Sequence, residues 1–144
     1  RAGVLGAMLL NGATRAEEAA IHQRAIDLLH YVQIEERADD LAKNLSYGDQ
    51  RRLEIARALA TDPKLLCLDE PAAGMNGTET AELRALIDGI RRDGTTILLI
   101  EHDVKLVMGL CDRVAVLDYG ALVIEDVPGV VQKDQRVIEA YLGA

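Results

Sequence analysis

Two consecutive carboxylates, Asp69 and Glu70, close a short apolar run, Leu65-Leu66-Cys67-Leu68, and Pro71 follows at once. A continuous apolar run of that length predicts a strand buried on both faces. In open α/β sheets, ligands sit beyond the carboxyl ends of the strands. One carboxylate at such a tip can hold Mg²⁺, which favours one or two carboxylates plus substrate phosphates and water. Its neighbour can polarise an attacking water as a general base. The same pair could equally be the polar end of a strand ahead of a proline turn.

Three further segments carry chemical potential. Leu45-Ser46-Tyr47-Gly48-Asp49-Gln50 opens a helical pattern. A helix start offers free N–H groups and about half a positive charge, and Gly48 lets a backbone approach an anion closely. Ser46 could also be no more than a helix cap. His102 stands just past a second apolar run, Thr95 to Ile100, where an imidazole can bond a phosphate and position water. A surface histidine would look the same. Ala72-Ala73-Gly74-Met75-Asn76 is a small-residue loop that permits close backbone approach, and alone it reads as a turn.

The elements that must position these residues follow from periodicity. Thr14 and Glu17 have the form of a capping box, and Ala20, Ile21, Leu28, Leu29 and Val32 recur near one helical face behind it. A short helix is expected near Arg37 to Ala42, and another from Asp49 to Thr61 with Leu53, Ile55, Ala56, Leu59 and Ala60 inward. Asp62-Pro63 stops it. Thr78 to Arg92 predicts a helix with Leu83, Leu86, Ile87 and Ile90 inward, ended by Gly94. Val104 to Leu110 predicts another, capped by Asp103. Arg113 to Leu117 and Ala121 to Glu125 predict strands around a Tyr119-Gly120 turn, and Val130 to Leu142 a helical tail. Strand, helix, strand, helix, strand is the order of a parallel α/β sheet.

Composition excludes several classes. The net charge of −8 argues against a nucleic-acid binder, which needs a basic face to release counterions. It does not exclude a phosphate ligand held locally by backbone N–H groups. Without Phe or Trp, the core must be aliphatic. Cys67 and Cys111 have no companion ligands and are expected as small core residues of a reducing compartment. No run approaches 18 apolar residues, and no secretory signal pattern is visible. The start at Arg1 is expected to be internal to a longer chain.

The order of the four segments is more informative than any one of them. Ser46 and Asp69 are 23 residues apart (46 to 69), and Glu70 and His102 are 32 apart (70 to 102), each interval fitting one helix and one strand. Over nearly its whole length the chain resembles the ATP-binding cassette (ABC) ATPases. Leu45–Asp49 resembles that family's signature sequence, Leu65–Glu70 its Walker B strand and catalytic glutamate, Ala73–Asn76 its D-loop, and His102 its switch histidine. Tyr47 and Asp49 stand where the signature usually has glycine and glutamine, and Asn76 where the D-loop usually has aspartate. The wording of Leu45–Arg52, Asp69–Asn76 and Ile100–Met108 further resembles the branch serving branched-chain amino-acid importers.

The resemblance implies a P-loop NTPase-type α/β fold with part of the family's helical subdomain. Expected parts are a helical portion at 1–61, an α/β portion at 62–126 and a helical tail at 127–144. It implies ATP and Mg²⁺ as ligands, Glu70 and His102 as catalytic residues, and Asp69 as a magnesium ligand through water. It implies that Ser46, Gly48 and Asp49 reach an ATP bound by a partner subunit, with Gly74 and Asn76 in the loop between subunits. The implied partners are a second ABC ATPase, identical or different, and membrane permease subunits, with no nucleic acid. The implied location is peripheral, on the cytoplasmic face of the inner membrane. No Gly-x-x-x-x-Gly-Lys-Ser/Thr phosphate loop occurs in the 144 residues, nor the family's glutamine loop, so the chain alone is expected to bind ATP poorly and not turn it over. A non-transport ABC ATPase and a truncated, non-catalytic interaction module are the competing readings.

Overall fold

The computed structural model describes residues 12–142, and the chain divides into two compact units, Arg1–Leu66 and Cys67–Ala144. The first is helical. Helix α1 spans Gly12–Tyr31 and α2 spans Tyr47–Leu59, with single 3₁₀ turns at Glu35–Arg37 and Ala42–Asn44 between them. Those turns replace the short helix expected at 37–42, a segment whose residues are all exposed, so no apolar face holds a longer helix in place. Helix α1 is already running at Gly12, so Thr14 is interior rather than an N-cap.

Packing in this unit is concentrated at one end. Val32, Ile34, Ile55 and Ala56 are buried, while Ala20 and Ile21 are exposed, Ile21 at 64%. The apolar stripe expected along α1 is therefore covered only near its C-terminus, where α1 meets α2. Arg52 is the residue periodicity did not place inside. It is buried, and its guanidinium donates from Nη1 to the Val32 carbonyl (3.0 Å) and to Gln33 Oε1 (3.2 Å). The charge is thereby used to hold the α1 exit against α2, satisfying a carbonyl left over at a helix end.

The rest of the chain is mixed. Strand β1 is Leu65–Asp69, helix α3 Gly77–Arg92, β2 Thr96–Ile100, helix α4 Val104–Leu110, β3 Val114–Asp118 and β4 Ala121–Asp126. Strands β1 and β2 lie side by side in a parallel sheet, with α3 as the crossover. Leu83, Ile87 and Ile90, at i, i+4 and i+7, are each about 1% exposed, so one face of α3 is fully covered. Its opposite ends are held by side chains: Asn76 caps the start, and Arg91 pairs with Asp88 and Asp112 near the end.

Strand β3 joins β4 in an antiparallel hairpin instead of extending the first sheet. Tyr119 and Gly120 both take positive φ, 45° and 80°, the geometry of a two-residue hairpin turn whose twist matches the strands. A bulge near Val116/Leu117 shifts the register. Val114 forms a core with Val131 and Val137, against which Val107, Met108 and Cys111 pack. The tail is not one helix. Short turns at Pro128–Val131 and Gln135–Val137 are followed by a π-helical stretch, Ile138–Leu142. Asp134 interrupts the run by capping Arg136 through its backbone N–H.

Strand β1, expected to be buried on two faces, is covered on one. Burial alternates along β1, with Leu66 and Leu68 inside and Leu65 (52% exposed) and Cys67 outside. Leu98 and Ile100 of β2 are also more than half exposed. Cys67 is thus a surface thiol, not a core residue, and only Cys111 is partly buried. The physical reason is that no element among the described residues layers over that face. A cavity of ≈ 810 Å³ is lined by consecutive residues from Gly94 to Glu101 and from Leu110 to Leu117. Consecutive rather than alternate lining means that strand edges face it.

Candidate active site

In the helical unit the signature-like segment forms a helix N-terminus. Ser46 is the N-cap of α2, and its Oγ accepts the Asp49 N–H at 3.1 Å. The helix therefore begins two residues earlier than Asp49, because the serine turns the chain into it. The N–H groups of Tyr47 and Gly48 fall in the first turn, before intrahelical partners exist, and Gly48 is buried. Gln50 Nε2 donates back to the Leu45 carbonyl (3.0 Å), closing the loop ahead of the cap. Tyr47 stands out from the turn, its hydroxyl accepting from Arg51 (Nη2, 2.7 Å) under a guanidinium 5.0 Å from the ring centre. Asp49 puts a carboxylate in the first turn, where the helix dipole favours it.

The second unit brings three sequence-selected residues together at the end of the β1–β2 sheet. Asp69 is the last residue of β1 and is exposed. Glu70 follows in a left-handed conformation, φ +43°, which L-residues other than Asn and Asp rarely adopt. Two backbone bonds hold it there: its N–H donates to the Ile100 carbonyl (2.8 Å), and its carbonyl accepts the Ala73 N–H (3.1 Å). The first continues the strand pairing by one residue, so Glu70 is anchored to the strand that delivers His102. Glu70 Oε1 then lies 3.5 Å from His102 Nδ1, with both side chains more than half exposed. Backbone strain at a carboxylate facing an imidazole is a functional-site pattern.

The loop after Glu70 is built tightly. Gly74 takes φ +76°, and Met75 N–H bonds the Ala72 carbonyl at 3.1 Å. Asn76 Oδ1 accepts from Thr78 N (2.9 Å) and Glu79 N (3.1 Å), and Glu79 Oε2 returns the favour to Asn76 N (2.9 Å). The Asn76 carbonyl oxygen is therefore committed to capping α3, leaving its amide N–H groups for other contacts.

Sequence reasoning passed over Glu101. Its side chain is 1% exposed. Oε1 accepts the Ala72 N–H at 2.9 Å, and Oε2 accepts the N–H groups of His102 (3.1 Å) and Asp103 (3.4 Å). The signal was available: Ile97, Leu99 and Glu101 share one parity along β2, the partly buried one. No group of three or more His, Cys, Asp or Glu side chains among the described residues could hold a metal alone. The signature turn and the carboxylate–histidine site belong to different units, and each stands here by its own geometry.

The site is thus a strand tip with two carboxylates, a facing histidine and a tight loop, set on an α/β sheet. Residues 4–73 match the ABC transporter family. The chain is 46% identical to the high-affinity branched-chain amino acid transport ATP-binding protein LivG of Salmonella typhimurium, over 99% of this chain and 56% of that one. It is 44% identical to the corresponding BraF protein of Pseudomonas aeruginosa, over 96% of this chain and 55% of that one. A solved nucleotide-free ATP-binding cassette from an ABC transporter superposes with TM-score 0.79 at 27% identity, covering 99% of this chain and 57% of that one. The fold is of the P-loop NTPase α/β type. The chain belongs to the ATP-binding cassette family, and it spans about half the length of the curated relatives it matches.

Proposed function

We propose that the protein is the ATP-binding and ATP-hydrolysing subunit of an ABC importer for branched-chain amino acids. The observation that carries the activity is Glu70, held in a strained conformation at the tip of β1 and facing His102 at 3.5 Å. The 44–46% identity to LivG and BraF proteins supports the substrate class.

In this reading Glu70 accepts a proton from the water that attacks the γ-phosphate. His102, its Nδ1 turned toward carboxylates, presents Nε2 outward to the phosphate. Asp69 would hold Mg²⁺ through water, and the ion would neutralise charge on the phosphate oxygens. Ser46, Gly48 and Asp49 present a helix N-terminus to the ATP of a second ATPase subunit. Gly74 and Asn76 shape the loop that meets that subunit. The helical portion, 1–61, contacts membrane permease subunits on the cytoplasmic face of the membrane. No described helix is long and apolar enough to cross a membrane itself, which fits a peripheral position.

The test is Glu70→Gln in the full-length protein. Hydrolysis should fall by about 10²–10⁴-fold, the usual contribution of a positioned base, while MgATP binding persists. Equal turnover in variant and parent removes Glu70 from that role.

A further inference from the structure

We propose that Glu101 is the positioning residue of this site, a buried carboxylate that fastens the loop after Glu70 to the turn carrying His102. For its kinetic consequence the inference rests on the ATPase reading above. Its structural content stands on geometry alone.

Three observations carry it. The side chain is almost fully buried, at 1% exposure, although it lies between the exposed Ile100 and His102. A buried carboxylate persists only when its oxygens are satisfied by donors. Here the donors come from two separate segments: Ala72 N–H on one oxygen, and His102 and Asp103 N–H on the other. Asp103 then caps α4 through Leu106 N–H (3.1 Å), so the same turn is fixed from both sides.

The consequence concerns the reactive pair. Glu70 and His102 are exposed, and at 3.5 Å their contact is too long to hold either side chain. Their mutual placement depends on the backbones beneath them. Ala72 lies two residues after Glu70, and His102 is itself one of the groups bonded. One rigid carboxylate thus sets the distance between the base and the imidazole. Its Oε2 also lies 3.8 Å from His102 Nδ1. A shift of Ala72 is transmitted to His102 through the same two oxygens, so displacement of the small-residue loop moves the histidine.

Charge and shape separate in the variants. Glu101→Gln keeps one acceptor oxygen but sets an NH₂ against the N–H groups of the other segment, so it can fasten only one of the two. Glu101→Ala fastens neither. In the full-length protein kcat should fall in the order parent, Gln, Ala, by about 10²-fold for Ala, the effect expected of a displacement near 1 Å. The KM for MgATP should stay within about two-fold, since Glu101 is not itself placed against the nucleotide. Amide exchange should quicken at both Ala72 and His102 in Glu101→Ala and at one of the two in Glu101→Gln, with Leu83 and Ile87 unaffected.

Parent-like kcat in folded Glu101→Ala overturns the proposal, as does parent-like exchange at Ala72 and His102 in either variant. Should both variants fail to fold, the unmodified protein decides: those two amides must exchange more slowly than the neighbouring exposed amide of Gly74, and equal rates refute the bridge. If Glu70→Gln turns over normally, the ATPase reading fails while the exchange result still judges Glu101.

Discussion

Glu70 offers a stability test whose sign is unusual. Its φ of +43° lies in the left-handed region, where a side chain with a Cβ costs roughly 1–2 kcal/mol and glycine costs nothing. Backbone bonds to Ile100 and from Ala73 fix the conformation, so the residue cannot relax away from it. Replacing Glu70 by Gly or by Ala removes the same carboxylate and the same partly exposed contact with His102, so those losses cancel between the two variants. What remains is conformational. At an ordinary site Ala is the more stable by about 0.4–1 kcal/mol, because glycine has more freedom to lose on folding. Here the left-handed cost outweighs that term and leaves about 1 kcal/mol in favour of Gly. For a chain of 144 residues this is about 3–4 °C in Tm. Parallel thermal and urea melts of Glu70→Gly and Glu70→Ala measure it. An Ala variant as stable as the Gly variant, or more so, would refute the claim that strain is stored at this carboxylate.

Asn76→Ala removes the acceptor of two helix N–H groups and breaks the capping box, so it should destabilise by about 1–2 kcal/mol in urea melts, whereas Asn76→Asp, which can accept the same bonds, should stay near parent. Near neutral pH, iodoacetamide should modify Cys67 of the 144-residue chain before Cys111, read by peptide mass spectrometry: Cys67 is exposed, while burial first and the Asp112 charge second push the Cys111 thiol up. Hydrogen bonding from Arg136 holds the Asp134 carboxyl down at about 2. Because the folded value is the lower one, its stabilisation of the tail is complete above the ordinary value near 3.8 and is lost as pH falls through about 2. A carboxyl-carbon titration of Asp134 with its midpoint near 3.8 would count against the Arg136 contact.

Local chemistry made much of this chain readable in advance. The α3 stripe needs only helical spacing, so Leu83, Ile87 and Ile90 were legible, and Asp103 was legible as a cap. The Tyr119-Gly120 turn follows from what a two-residue hairpin demands. Asp69, Glu70 and His102 stood out because carboxylates and imidazole at the ends of apolar runs are local patterns. The sequence could not say how many layers cover a strand, and β1 and β2 proved covered on one face, because burial depends on elements distant along the chain. It did not distinguish the cap role of the Asn76 side chain from a turn, nor show that β3 would pair with β4 alone.

Composition and periodicity, being properties of neighbours, determined the order of helices and strands and the residue types able to do chemistry. Only the tertiary structure decided that Glu70 is left-handed, that it faces His102, and that Arg52 and Glu101 are buried charges. A charged side chain goes inside only where donors or acceptors from separate segments converge on it, and that convergence is fixed by the folded path of the chain rather than by any stretch of it.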